Sequence, residues 1–355
     1  MEINKSVQLA QTKLKSSFLK RVMTIALISG ISYGLYSAFL TLGMGKGIWI
    51  DWYSDGSGFS AFTSIFILAT LGAGINDLFS AIWALTNAGV KGKLGDFVKT
   101  LPTKPGLILM GAALIGGPLA GVSYVVALQM AGPIVIPIAA LNTAVGALLG
   151  RILFKQELNA RMALGIVICI LASFLIGFTS LTGEVKEGML LGIIMAVVAA
   201  FGWGLEGCVG GFGTSMIDYE IAITIRQLTS AITNLLIIIP IMGVIEGMGP
   251  AKTFSLAASA LTDPSVVFFV VSGFFTLYAF SLWYKGNSMC GAALGMACNG
   301  TYSFWGPFFC WILLGIIAGL DGYAIPTIAW IAAVLMAFGI LVIAVNPLDY
   351  IRKEK

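Results

Sequence analysis

Residues 105–150 read PGLILMGAALIGGPLAGVSYVVALQMAGPIVIPIAALNTAVGALLG, with Lys104 before them, Arg151 after them and no charged side chain between. About 20 apolar residues cross the hydrocarbon core of a bilayer, so this run is long enough for two crossings. Gly132-Pro133, near its middle, is a turn signal. Inside lipid every backbone N–H and C=O must be satisfied within the segment or by a closed sheet. The alternation of a barrel strand is absent, so the run predicts two helices, 107–131 and 132–153, folded back on each other.

The rest of the chain follows the same pattern. It is 58% hydrophobic and 10% charged, with a mean hydropathy of +0.97, whereas soluble domains carry about 25% charged residues. The fold expected is an all-α membrane protein with ten transmembrane helices, at 22–42, 61–88, 107–131, 132–153, 162–181, 189–213, 221–245, 265–285, 288–316 and 324–346. Lys and Arg set the orientation. With the N-terminus inside, sixteen of them fall on the cytoplasmic side, only Lys46, Lys186 and Lys252 fall outside, and Arg226 lies within a span. The net charge of +4 is then a topology signal, and no nucleic-acid partner is expected. The reading is a multi-pass protein of the cytoplasmic membrane with both termini cytoplasmic. Residues 1–21 are too polar for a secretory signal and read as a cytoplasmic segment, either an interfacial helix or a solvated tail. Residues 347–355 read as a second cytoplasmic tail.

Composition also removes function classes. There is no histidine, and the five cysteines form no CxxC pair. Structural zinc, haem held by histidine and histidine-based catalysis are therefore not expected. Gly202–Gly213 opens with Gly-x-Gly, but no strand precedes it, so it is no dinucleotide fingerprint. No Walker lysine motif is present. No catalytic residue, metal site or cofactor is expected. An integral-membrane enzyme is a remote alternative, because the carboxylates are scattered over loops.

The chain repeats itself in order. Ser32-Tyr33-Gly34-Leu35-Tyr36 returns as Gly202-Trp203-Gly204-Leu205-Glu206. Asp77-Leu78-Phe79-Ser80-Ala81-Ile82 returns as Gln227-Leu228-Thr229-Ser230-Ala231-Ile232. Tyr124, Leu128 and Gly132 return as Tyr278, Leu282 and Gly286. The offsets are 170, 150 and 154 residues. Two repeats, 22–181 and 189–346, would each hold five spans. Five is odd, so the second copy starts on the opposite face and runs inverted. The loop lysines agree, because 89–106 falls inside and its counterpart 246–264 outside. Inverted repeats around a midplane site are the usual frame for alternating access.

The two halves resemble the EamA-like repeats of the drug/metabolite transporter superfamily. The residues that carry the likeness are Gly34-Leu35 and Gly204-Leu205, Arg226 early in the seventh span, and Phe154-Lys155-Gln156-Glu157-Leu158 followed by Gly165. The sequence departs from that pattern at Asn76, which stands where the second half has Arg226, and at Asp321, which lacks the flanking pattern of Glu157. The loop 43–60 is also long. The resemblance implies secondary transport of a small organic solute, such as a sugar, vitamin or amino acid, with the lipid bilayer as its setting. Proton coupling and a homodimer are open options. A facilitative uniporter, an exchanger or a channel is the alternative.

Polar groups inside spans are costly, so the few present are candidate solute-binding or coupling residues. Glu206, in a glycine-rich span, is the first candidate for a proton carrier or a partner of a cationic solute. A structural ion pair with Arg226 is the competing reading. Arg226 suits either a gate or a snorkelling role. Arg226, Ser230 and Thr233 share a helix face, as do their counterparts Asn76, Ser80 and Trp83, and the two stripes would line a cavity between the halves. Asp77 points about 100° away from Asn76 and is read as capping or pairing near the membrane edge, with a coupling role as the competing reading. Tyr124, Asn142, Trp203, Tyr278, Asn299 and Tyr302 supply the rings and amides of a cavity wall. Packing is the other reading of Asn299 and Tyr302. Few charges and many rings favour a neutral or aromatic-bearing solute over a polyanion.

Overall fold

The computed structural model describes residues 21, 24–25, 27–155, 159–182, 187–290, 296 and 300–344. Among these the regular structure is helical, with no strand. The chain runs α1 (Leu27–Met44), α2 (Ile48–Tyr53), α3 (Thr63–Val90), α4 (Leu94–Thr100) and α5 (Lys104–Leu114). A π-helical segment, Ile115–Gly121, joins α5 to α6 (Val122–Ala131), and α7 (Ile136–Ala139) and α8 (Asn142–Phe154) follow. The remainder is α9 (Ala160–Thr182), α10 (Met189–Thr214), α11 (Tyr219–Thr233), α12 (Ile239–Ile245), α13 (Gly249–Thr262), α14 (Val266–Cys290), α15 (Tyr302–Cys310) and α16 (Thr327–Ala344). The π segment Asn234–Ile238 links α11 to α12 without a break, and Trp311–Ile317 extends α15.

Six helical runs are long and apolar enough to cross a membrane, and four further apolar helices are shorter. The chain is thus an all-α protein of multi-pass membrane character. The sequence predicts ten full spans; the described residues give six by length. At the third and fourth predicted spans the difference has a physical cause. The run Lys104–Ala139 counts as one helix of 36 residues, which at 1.5 Å per residue is about 54 Å and too long for a single crossing. Gly132 breaks it with φ 69°, a backbone conformation that glycine adopts without steric cost. The predicted turn between the third and fourth spans therefore sits at Gly132. Beyond it α7 is only four residues, and α8 starts afresh at Asn142. At the far end of α8, Lys155 at φ 53° stops the helix. Gln156, Glu157, Leu158 and Asn299 lie outside the described residues.

The packing that positions the centre can be stated as pairs. The helix α3 lies against α11 and α14, α11 lies against α5, α10 lies against α6 and α8, and α9 pairs with α16. Glycines set the closest approaches. A side chain at Gly34 of α1 would meet the backbone of Trp305 in α15, and one at Gly204 of α10 would meet Val145 and Gly146 in α8. Small residues of this kind let helices approach closely where lipid offers no hydrophobic drive between them. Gly165 and Gly339 perform the same service between α9 and α16.

Candidate functional site

The centre of the molecule is a buried charge cluster built from three helices. Arg226 enters from α11, where Asp218 caps the helix by accepting from the Glu220 amide at 2.8 Å. Its Nε donates to Glu206 Oε1 at 2.8 Å and its Nη2 to Oε2 at 3.4 Å. Its Nη1 donates to Gln227 Oε1 at 2.8 Å and lies 3.7 Å from Asp77 Oδ1. The guanidinium also stands 4.3 Å from the centre of the Phe280 ring, a cation–π geometry. Tyr284 donates to Glu206 Oε1 at 3.1 Å. Ser230 donates to Asp77 Oδ2. The side chains of Glu206, Arg226 and Asp77 are 0%, 2% and 9% exposed.

This arrangement requires the glycines of the π segment. A Cβ on Gly116 would overlap the Glu206 carboxylate, and one on Gly117 would overlap the Ser230 hydroxyl. Pro118 lies in the same turn and cannot donate a backbone hydrogen bond. The carbonyl of Gly116 accepts from Trp203 Nε1 at 3.0 Å. Ile-Gly-Gly-Pro thus gives the charges a bare stretch of backbone to lie against, and π-helical turns of this kind are frequent at functional sites.

Rings close the centre. Tyr33 stacks on Tyr302 at 3.9 Å and meets Tyr36 and Trp203 edge-on at 4.9 and 5.8 Å. Tyr124 lies 5.0 Å from Trp203 and shares a 2.7 Å hydrogen bond with Ser37. The hydroxyls of Tyr33 and Tyr302 are left without a well-formed hydrogen bond. What remains open is a small pocket bordered by Tyr36, Asn76, Asp77, Trp203, Arg226 and Phe280, with about 10 Å³ available to the centre of a water molecule. That is room for about one water. Among the described residues this centre has no solute-sized opening in this conformation, because fully buried Tyr33, Tyr124, Trp203 and Tyr302 fill it.

The predicted site residues divide accordingly. Glu206, Arg226, Ser230, Trp203, Tyr124 and Tyr302 belong to the cluster or its ring wall. Asn76 borders the pocket, but its Oδ1 accepts from Ser272 at 2.6 Å and Thr276 at 3.1 Å, both on α14. Trp83 also turns to α14, donating to the Val270 carbonyl at 3.1 Å. Ser80 is buried with its hydroxyl unpartnered. The stripe Asn76–Ser80–Trp83 is real as a helix face, yet it packs against α14; periodicity identifies a face without identifying its neighbour. Asn142 is buried at the start of α8 and accepts from Thr143 at 3.3 Å, away from the pocket. Tyr278 is 43% exposed and lies against Phe274, so it is not part of this centre.

Of the two readings of Asp77, an edge cap or pair and a coupling group, the structure shows that it belongs to the cluster. Its direction, about 100° from Asn76, is the one that faces α11. Tyr36, Gln227, Phe280 and Tyr284 also belong to the centre. A signal for the α14 residues exists in the sequence: Ser272, Thr276, Phe280 and Tyr284 recur every four residues on one helix face.

A second charged group lies outside the spans. Lys91 and Lys93 both bind Glu220, with Lys93 Nζ at 2.6 Å, and Lys93 also reaches Asp218 at 3.0 Å. Partial burial pulls the Lys93 ammonium down, but its bonds to Glu220 and Asp218 outweigh this and hold it above the usual lysine value. These pairs fasten the end of α3 to the start of α11. At the other end of α3, Ser60 donates to Glu246, and the Ile48 amide donates to Asp263 at 3.1 Å.

No family model matches this chain, and no curated protein matches it. One solved structure, described only as the crystal structure of a protein, aligns over 94% of this chain and 99% of its own, at 18% identity and a TM-score of 0.49.

Proposed function

We propose that this chain is a secondary transporter of a small organic solute, with ten spans arranged as two inverted five-helix repeats of the EamA-like kind in the cytoplasmic membrane. The observation that carries this reading is the exchange pattern of the helix packing. If α1 is the counterpart of α10, α3 of α11–α12, α5–α6 of α14, α8 of α15 and α9 of α16, several helix contacts have mirrors. Gly34 meets α15 as Gly204 meets α8. The pairing of α3 with α14 answers that of α11 with α5, while α3 with α11 and α9 with α16 are self-paired. The four shorter apolar helices supply the spans that length alone leaves out.

Two such halves have two near-equivalent ways to rest on each other, one open to each side. The centre between them holds a buried cation, two carboxyl groups and a wall of rings, which suits a neutral or aromatic-bearing solute. Intramembrane ionisable groups mark solute paths or proton relays. The filled centre is a closed state, and solute entry requires the halves to part. A closed, ring-filled centre favours a carrier over an open channel. No catalytic constellation is invoked. The test is counterflow in proteoliposomes after a thermal-shift screen has found a stabilising solute. Trans-acceleration by unlabelled solute is expected; flux that unlabelled solute leaves unchanged would mark a channel.

A further inference from the structure

We infer that the proton-binding group of this cluster is Asp77, with Glu206 acting as a fixed counter-ion to Arg226. The inference deepens the transport reading, and it rests on that reading only for its physiological use.

Two carboxyl groups share one guanidinium. With both ionised, the cluster carries a net negative charge, and an unbalanced charge buried within membrane-spanning helices is costly. One bound proton removes that charge. The two carboxyls differ in what a proton would disturb. Glu206 accepts from Arg226 at both oxygens and from Tyr284 at Oε1. Arginine has no acceptor, so a proton on Glu206 would set donor against donor. Asp77 stands 3.7 Å from Arg226, beyond hydrogen-bond reach, and its bonded partner is the Ser230 hydroxyl. A hydroxyl donates to a carboxylate and accepts from a carboxylic acid equally well, so Asp77 changes state without orphaning its partner. Asp77 also borders the pocket that has room for about one water, whereas Glu206 does not.

The groups facing Asp77 are few. Arg226 and Ser230 come from α11, Glu206 stands across from α10, Tyr36 borders the pocket from α1, and Asn76 adjoins it on α3. From α14 come Thr276 and Phe280, and the pocket edge at Gly121 and Val125 adds nothing ionisable. The step is a simple proton transfer: a proton from water adds to the carboxylate, and the acid returns it when the cluster gains another positive charge.

The test is infrared difference spectroscopy of the full chain in lipid, which reads protonated carboxyl groups without any solute. The wild type should show a protonated-carboxyl band that disappears as pH rises. Because the charge count binds the two groups together, Asp77→Asn and Glu206→Gln should each abolish it, and a band that survives in both would overturn the charge argument. The assignment comes from hydrogen-bond partners. Ser230→Ala should shift the band, and Tyr284→Phe should leave it in place. A shift with Tyr284→Phe, alone or together with Ser230→Ala, would overturn the assignment to Asp77, as would a wild type with no band. Failure of counterflow would sink the transport reading and leave this result standing.

Discussion

Removing the guanidinium at the centre should be the most damaging single change in the molecule. Arg226→Met keeps most of the side-chain length and deletes two bonds to Glu206, one to Gln227, the 3.7 Å contact with Asp77 and the cation above Phe280. Breaking a buried pair by removing one partner costs about 3–5 kcal/mol, because the other charge stays buried without compensation. The partner here is Glu206, which is fully buried, so the upper part of that range applies. Adding Glu206→Gln removes the stranded charge while Tyr284 still has an oxygen to bond, so the double variant should regain stability over the single one. Coupling energies between touching residues run to about 0.5–3 kcal/mol. The assay is equilibrium unfolding in mixed micelles for the four members of the cycle. A loss below about 1 kcal/mol for Arg226→Met, or simple additivity in the cycle, would refute the view that these groups form one buried unit.

Other changes test the surroundings. Gly116→Ala should lower thermal stability and abolish uptake, since its Cβ overlaps the Glu206 carboxylate; Gly111→Ala, which has open space at the same helix, is the control and should be silent in both assays. Cysteines at positions 91 and 252 should react with impermeant reagents from opposite faces of the membrane, because Lys91 follows the end of α3 while Lys252 lies over Phe59 near its start; reaction from one face would contradict the crossing. Lys93→Ala should change stability by about 1 kcal/mol or less, given its partly exposed partners. The Lys93 value is raised on folding. Its stabilising contribution is therefore complete below the unfolded lysine value of about 10.4 and fades as pH rises through the higher folded value; an alkaline loss of stability that Lys93→Ala does not reduce would contradict the link between α3 and α11.

The helical membrane architecture was legible because hydropathy acts over whole segments. A charge-free run between Lys104 and Arg151 admits few foldings, and Gly132 announced its own turn. The partners of each helix face were not legible. Asn76, Ser80 and Trp83 share a face in sequence and in structure, yet the face belongs to α14, and only the three-dimensional arrangement supplies that neighbour. Tyr278 failed for a related reason. It echoes buried Tyr124 in the sequence, but its ring lies on an exposed face of α14, while Thr276 and Phe280 hold the interior. The volume of the centre was also hidden, because a list of rings does not distinguish a wall from a plug.

If the chain is duplicated as proposed, the mismatches between its sequence echoes are the most informative letters. Where the copies agree, as at Gly34 and Gly204, the residues fix a close approach of helices. Where they disagree, the chemistry collects. Tyr36 answers Glu206, Asn76 answers Arg226 and Asp77 answers Gln227, and all six lie in or against one buried cluster. A duplicated scaffold with identical halves would place like charges near its own axis, where they repel. In the duplicated scaffold proposed above, divergence at these positions gives one cation two carboxyl partners, one from each half. It also leaves one of the two, Asp77, with a weaker hold on the cation and a partner that tolerates both of its protonation states.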